Sequence, residues 1–273
     1  MPTPLTLASW NVNSLKVRLP QVLDWLSETR TDAVVLQETK LVDEAFPVEA
    51  IAAAGYEAIF TGQKTYNGVA LLYRRETLRV ANPERTFLNL PGLPDEQKRF
   101  VAAEFAPVAG GESFVFCGGY IPNGMETGSW KYLYKLDWLT ALERATREFL
   151  RTNPYLVLGG DFNIAPEDRD CWNPAEREGQ ILVSKPERAA LARLMRTCGL
   201  SDAFRLFPQS PETYSWWDYR QAGFEKNRGL RIDLLLVSEA LRARVKASAV
   251  DARPRANAQP SDHAPVTLEI VLD

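Results

Sequence analysis

Histidine occurs once in these 273 residues, and cysteine three times, as Cys117, Cys171 and Cys198. A single imidazole excludes a two-histidine acid–base relay and a histidine-rich zinc site. Three scattered thiols make neither a disulfide framework nor a zinc cluster, and they fit a reducing, cytoplasmic setting. No apolar run approaches the roughly 20 residues of a membrane span, and no basic segment followed by a long apolar stretch opens the chain. A Gly-x-Ser-x-Gly elbow, a phosphate-binding loop and a Gly-x-Gly-x-x-Gly turn are all missing. Neither sign of charge dominates: 32 Lys and Arg stand against 35 Asp and Glu, a net −3. Taken alone, that balance argues weakly against a nucleic-acid binder. A carboxylate cluster that holds a cation would lower the sum and still serve a polyanion, because the ion inverts the local sign.

What is present is an ordinary globular composition, 45% hydrophobic and 25% charged. With no repeat, low-complexity tract or long linker, the chain reads as one α/β domain over residues 1–273, expected to be a monomer. Strand-like runs are Leu5–Trp10, Ala33–Leu36, Val69–Tyr73, Phe100–Phe105, Ser113–Tyr120, Tyr155–Leu158, Ile232–Val237 and Val266–Val271. Helical spacing marks Leu19–Ser27, Tyr132–Leu150 and Glu187–Thr197, the last preceded by a Ser184-Lys185-Pro186-Glu187 capping box. This alternation implies a layered α/β sandwich, with one or two sheets left open.

Polar residues recur where the apolar runs end: Asn11 after Trp10, Glu38 after Leu36-Gln37, Asp161 and Asn163 after Gly159-Gly160, Asp233 after Ile232, and Asp262-His263 ahead of Val266. Strands deliver their ends to a common edge, where ligand sites of α/β folds collect. Glu38 suits a hard cation, which takes one or two carboxylates; it is equally readable as a solvated strand end. Asp161 and Asn163 share a side if the backbone stays extended, one to accept a proton and the other to donate to an oxyanion; an Asx turn is the plainer alternative. Asp233, flanked by Ile232 and Leu234-Leu235-Leu236, is a buried acid in need of a partner, and His263 can supply it. What remains chemically is carboxylate–metal hydrolysis with His263 as helper.

These segments, together with Asn67-Gly68-Val69-Ala70, Gly119-Tyr120-Ile121-Pro122-Asn123-Gly124 and Gly229-Leu230-Arg231-Ile232-Asp233, run nearly end to end. In this order they resemble the exonuclease III type of the endonuclease/exonuclease/phosphatase superfamily. The resemblance implies a four-layer α/β/β/α sandwich with two packed mixed β-sheets. It implies Mg²⁺ (or Mn²⁺) among Asn11, Glu38, Asp161, Asn163, Asp262 and His263. It gives catalytic roles to Tyr120, Asp161, Asn163, Asp233 and His263. Relatives such as deoxyribonuclease I tend to place a histidine where this chain has Tyr120, which favours the exonuclease III branch.

The implied activity is a DNA repair nuclease, cleaving 5′ to abasic sites, digesting 3′ ends of duplex DNA, or both. Lys40, Asn123, Lys131, Trp216, Arg228 and Arg231 are the expected DNA contacts, with Lys135 and Lys226 as further basic candidates. Trp216 and Trp217 point to opposite faces if they alternate, one toward DNA and one toward the core. The alternatives are a phosphomonoesterase of the same superfamily, a non-catalytic DNA-binding relative, and RNA as substrate. The loop Glu167–Val183 and the stretch Met125–Trp130 vary among relatives and leave the ratio of activities open.

Overall fold

The computed structural model describes residues 4–272. Its strands are β1 (Leu5–Asn11), β2 (Ala33–Gln37), β3 (Tyr56–Thr61), β4 (Val69–Arg74), β5 (Leu78–Val80), β6 (Phe100–Pro107) and β7 (Phe114–Tyr120). They continue with β8 (Leu156–Asp161), β9 (Leu200–Asp202), β10 (Trp216–Trp217), β11 (Gly229–Leu230), β12 (Asp233–Ser238), β13 (Val245–Val250) and β14 (Val266–Ile270). The helices are α1 (Leu15–Thr29), α2 (Val48–Ala53), α3 (Trp130–Thr152), α4 (Pro174–Arg177), α5 (Lys185–Cys198) and α6 (Glu239–Arg242).

Two six-stranded sheets form, in the orders β13-β14-β1-β2-β4-β3 and β5-β6-β7-β8-β12-β9. Each is mixed, with one parallel pair, β1–β2 or β7–β8, among antiparallel neighbours. Side chains alternate across a strand, so each sheet offers two apolar faces. The inner faces meet through Leu7, Val35 and Leu71 of the first sheet and Val101, Phe116 and Leu235 of the second. α1 and α2 cover the outer face of the first through Val22, Trp25 and Ile51. α3 and α5 cover the other through Trp138, Leu142, Phe149, Leu191 and Leu194. Each such buried side chain contributes about 1.5–3 kcal/mol. The layers run α/β/β/α, as expected.

Helix ends follow local chemistry. Ser129 caps α3 by accepting the Tyr132 N–H at 3.2 Å. α5 opens on the expected reciprocal capping box of Ser184 and Glu187, and Gly199 closes it at φ 59°. α1 begins four residues before the periodicity suggested, because Ser14 at φ 93° makes no side-chain cap and Pro20 sits inside the helix.

Strand register gathers one end of both sheets. Asn11 lies opposite Gln37, Tyr120 opposite Asp161, and Asp161 opposite Asp233. Antiparallel pairing of β14 with β1 brings the Ser261–His263 segment to the same edge. The sheets approach closely there: a Cβ on Gly118 would stand 2.0 Å from Val35 Cγ2. At the start of β4, Gly68 has φ +86° and a Cβ would meet Thr39 Oγ1 at 2.1 Å, so glycine is required for the turn that seats the Glu38 loop.

Candidate active site

Asn11, fully buried at the end of β1, donates from Nδ2 to Glu38 Oε1 at 2.9 Å and to Asp161 Oδ2 at 3.0 Å. Its amide therefore joins the two sheets through the two carboxylates. Glu38 leaves β2 at φ 54°, and its second oxygen lies 2.9 Å from Lys40 Nζ. Burial opposes the Glu38 charge, but Lys40 and the Asn11 amide outweigh it and hold the carboxyl below its ordinary value.

Asp161 is 1% exposed. It accepts the Asn163 N–H at 2.8 Å and the Asn163 side-chain amide at 3.3 Å. The first bond closes an Asx turn, and Asn163 adopts φ 50° rather than an extended backbone. The turn and the functional arrangement thus coexist: it is the turn, not strand alternation, that brings the two side chains together. Asn163 also accepts from Asn123 Nδ2 at 3.1 Å.

His263 Nδ1 lies 2.9 Å from Asp233 Oδ2, and Nε2 lies 3.8 Å from Asp161 Oδ2. Ser215 Oγ donates to the same Asp233 oxygen at 2.6 Å while accepting the Asp233 N–H at 3.0 Å. Burial disfavours the imidazolium, but the facing Asp233 and Asp161 carboxylates prevail and raise His263 to about 10. Burial, then repulsion from Asp233, pushes Asp161 up to about 7 against the pull of His263. Tyr120 ends β7 beside this cluster; burial and the Glu38 and Asp161 carboxylates raise its hydroxyl well above the usual value.

Asp262 is half-buried, and accepts from Trp216 Nε1 and Asn13 Nδ2, each at 2.9 Å. Asn13 in turn donates its N–H to Asn11 Oδ1 at 3.0 Å. All seven polar residues expected to converge, Asn11, Glu38, Asp161, Asn163, Asp233, Asp262 and His263, lie along one connected set of polar contacts. Ligand-type atoms of Asp161, Asp233 and His263 fall within 4.8 Å of one another, a buried group able to hold a metal ion. The neighbouring Glu38 carboxylate, bridged to Asp161 by the Asn11 amide, is a hard donor of the kind Mg²⁺ takes, so the residues present fit such an ion.

The expected DNA contacts divide. Lys40 and Trp216 are half-buried beside the cluster, Asn123 is exposed and bonded to Asn163, and Lys131 is exposed with its ammonium 5.6 Å from the Trp130 ring. Arg228 is half-buried, its guanidinium 4.7 Å over the Trp172 ring. Arg231 requires correction: it is 1% exposed, with Nε 2.7 Å from Asp170 and Nη2 2.7 Å from Asp202, so its charge is spent inside. Lys135 is likewise fully buried, paired with Glu187. Trp217 packs inward on Phe224, as alternation implied.

The sequence reading missed Ser215, Asn13 and Arg99. Ser215 sits between Tyr214 and Trp216, where only its burial beside an acid marks it. Arg99 lies 4.7 Å over the Tyr120 ring and donates to the Tyr120 carbonyl at 3.2 Å.

An α/β/β/α sandwich that gathers buried acids, amides and one imidazole at the shared sheet edge has the donor set of a metal-assisted hydrolase. The chain belongs to the endonuclease/exonuclease/phosphatase family, whose model matches residues 8–263. It is 35% identical to exodeoxyribonuclease III of Haemophilus influenzae, covering 96% of this chain and 98% of that one. Among solved structures it resembles the 3′ phosphatase NExo from Neisseria bound to a product DNA hairpin, with TM-score 0.89, 40% identity and coverage of 97% and 99%. An AP endonuclease from Archaeoglobus fulgidus matches with TM-score 0.85, 30% identity and coverage of 98% and 99%.

Proposed function

We propose that this chain is a Mg²⁺-dependent (or Mn²⁺-dependent) DNA repair nuclease. It hydrolyses phosphodiesters of duplex DNA 5′ to abasic sites, at 3′ ends, or both. The observation that carries this reading is the Asn11 amide shared between Glu38 and Asp161, with His263 held against Asp161 by Asp233.

In this reading Asn11, Glu38 and Asp161, with Asn163, Asp262 and His263 around them, would hold the ion. A divalent ion bound there would supply Lewis-acid polarisation of the phosphoryl group and charge stabilisation for the departing oxygen. Asp233 fixes the Nδ1 face of His263, so Nε2 turns toward Asp161 and the reacting phosphate. Asp161 takes or gives a proton at the attacking water or the leaving oxygen. Asn163 and Tyr120 donate to the phosphate oxygens. Lys40, Asn123, Lys131, Trp216 and Arg228 border the DNA. The 3′ oxygen leaves, giving a 3′-hydroxyl and a 5′-phosphate.

A second reading, removal of 3′-terminal phosphate, is favoured by the likeness to the Neisseria 3′ phosphatase. One duplex carrying an internal abasic site and a recessed 3′ end, and a companion with a 3′-phosphate, separate the activities. Cleavage is expected with Mg²⁺ and lost in EDTA; equal rates in both would remove the metal from the reading. Asp161→Asn and Glu38→Ala should each lower the rate on the order of 10²-fold or more while circular dichroism stays unchanged.

A further inference from the structure

The three most exposed large hydrophobic side chains among the described residues are Trp130 at 69%, Tyr66 at 68% and Met125 at 66%. They come from two segments distant in sequence, the loop before β4 (Tyr66) and the stretch that runs from Met125 into the start of α3 at Trp130, and all line one groove of about 490 Å³. Lone exposed apolar residues are common; a convergence in a concave surface marks a binding site. Trp130 opens α3, a helix fixed by its Ser129 cap, so the ring stands on a rigid support.

The groove is continuous with the active site. Asn123 lines it and also donates to Asn163. Arg99 lines it and also covers the Tyr120 ring. Its charged lining residues are Arg99 and Lys131, with no carboxylate among them, although the chain as a whole carries net −3. Flat aromatic faces, a thioether and two cations beside a phosphate-directed cluster match an aromatic base on an anionic backbone better than a peptide.

We propose that this groove takes an unpaired nucleobase next to the scissile phosphate, stacked on Trp130 and flanked by Tyr66 and Met125, with Lys131 and Arg99 on its backbone. The proposal rests on the nuclease reading and adds a preference within it. Substrates with frayed or mismatched bases at the cleaved end are held more tightly than fully paired ones.

The test compares two hairpin duplexes of equal length, one fully paired and one with two mismatched terminal bases. Wild type, Trp130→Ala and Trp130→Phe are measured on both. Wild type should show a KM about tenfold lower on the mismatched end, the size of one base stack. Trp130→Ala should bring that ratio to near one, and Trp130→Phe should retain most of it. An unchanged ratio in Trp130→Ala overturns the groove assignment and leaves the nuclease reading intact. Should wild type cleave neither hairpin, the nuclease reading fails, and anisotropy with a fluorescent thymidine octamer decides the groove by itself. Binding weakened by Trp130→Ala supports it, and equal binding of the two proteins overturns it.

Discussion

The Lys135 ammonium donates to the backbone carbonyl of Asn163 at 2.7 Å from inside α3, with none of its surface exposed. The same nitrogen donates to the Asn123 carbonyl at 3.2 Å and pairs with Glu187, which also accepts the Leu182 and Ser184 N–H groups. One buried ion pair thus ties the Asn123 loop, the Asn163 turn and the start of α5 together. A charge this deep is expensive unless fully bonded, and here its bonds go to the two asparagine segments of the site.

Lys135→Met should therefore damage both fold and rate. An unpaired Glu187 costs about 3–5 kcal/mol, read as a lower Tm. Lys135→Met with Glu187→Gln should recover much of that stability, because the buried charge is gone. It should not recover kcat, which is expected to stay about 10–100-fold low from misplacement of Asn163, with KM little altered. Full recovery of kcat along with Tm would make the pair purely structural.

The Asp233–His263 contact predicts a different signature. Asp233→Asn replaces the carboxylate facing Nδ1–H by a neutral amide, which no longer supports the imidazolium and can turn its own N–H₂ toward Nδ1. Catalytic losses of this kind run to about 10⁴-fold, with folding intact. Ser215→Ala removes one bond to the same carboxylate and should cost about tenfold, the worth of a hydrogen bond to a charged group. If Asp233→Asn loses less than Ser215→Ala on the same substrate, orientation of His263 is not what Asp233 provides.

Asp251 supplies a pH-dependent contact beside the site. It accepts Trp25 Nε1 at 2.9 Å, and its N–H donates to the Pro265 carbonyl at 2.8 Å, so it joins α1 to the segment after His263. Burial opposes its charge, but Arg253 and Trp25 prevail and the carboxyl is held below its ordinary value. A depressed folded pKa means stability that is present above the unfolded value of about 3.9 and lost as pH falls through the folded one. Asp251→Asn should lower Tm at pH 7, and the gap from wild type should close as pH drops below about 4. A gap that is constant with pH would assign the loss to packing.

Which parts of this were legible beforehand follows from burial. The eight runs read as strands are the eight interior strands of the two sheets, β14, β1, β2 and β4 in one and β6, β7, β8 and β12 in the other. Every edge strand escaped: β3, β13, β5 and β9. An interior strand packs both faces and reads as a continuous apolar run. An edge such as Val245–Val250, with lysine, serine and mostly half-exposed side chains that follow no period of two, carries no such pattern. The site divides similarly. Carboxylates beside apolar runs announced themselves because buried charge is rare. Ser215 and Lys135 act through partners on distant segments, and nothing local distinguishes them from an ordinary serine and a helix-surface lysine.

Arg231 shows the converse error and yields the last prediction. Its place in a basic stretch with Lys226 and Arg228 suggested a phosphate contact, yet its guanidinium bonds to Asp170 and Asp202 and lies 4.9 Å over the Phe204 ring. It anchors the loop after Asn163, since its own N–H also donates to the Asp170 carbonyl at 2.8 Å. A residue that neutralises phosphate contributes close to one unit to the slope of log affinity against log salt. Lys131→Ala should reduce that slope by about one and leave Tm near wild type. Arg231→Met should do the opposite. Buried Asp202 is left without its cation and Asp170 keeps only Arg205, at about 3–5 kcal/mol, while the salt slope stays as it was. A stable Arg231→Met protein with a shallower slope would put the guanidinium on DNA after all.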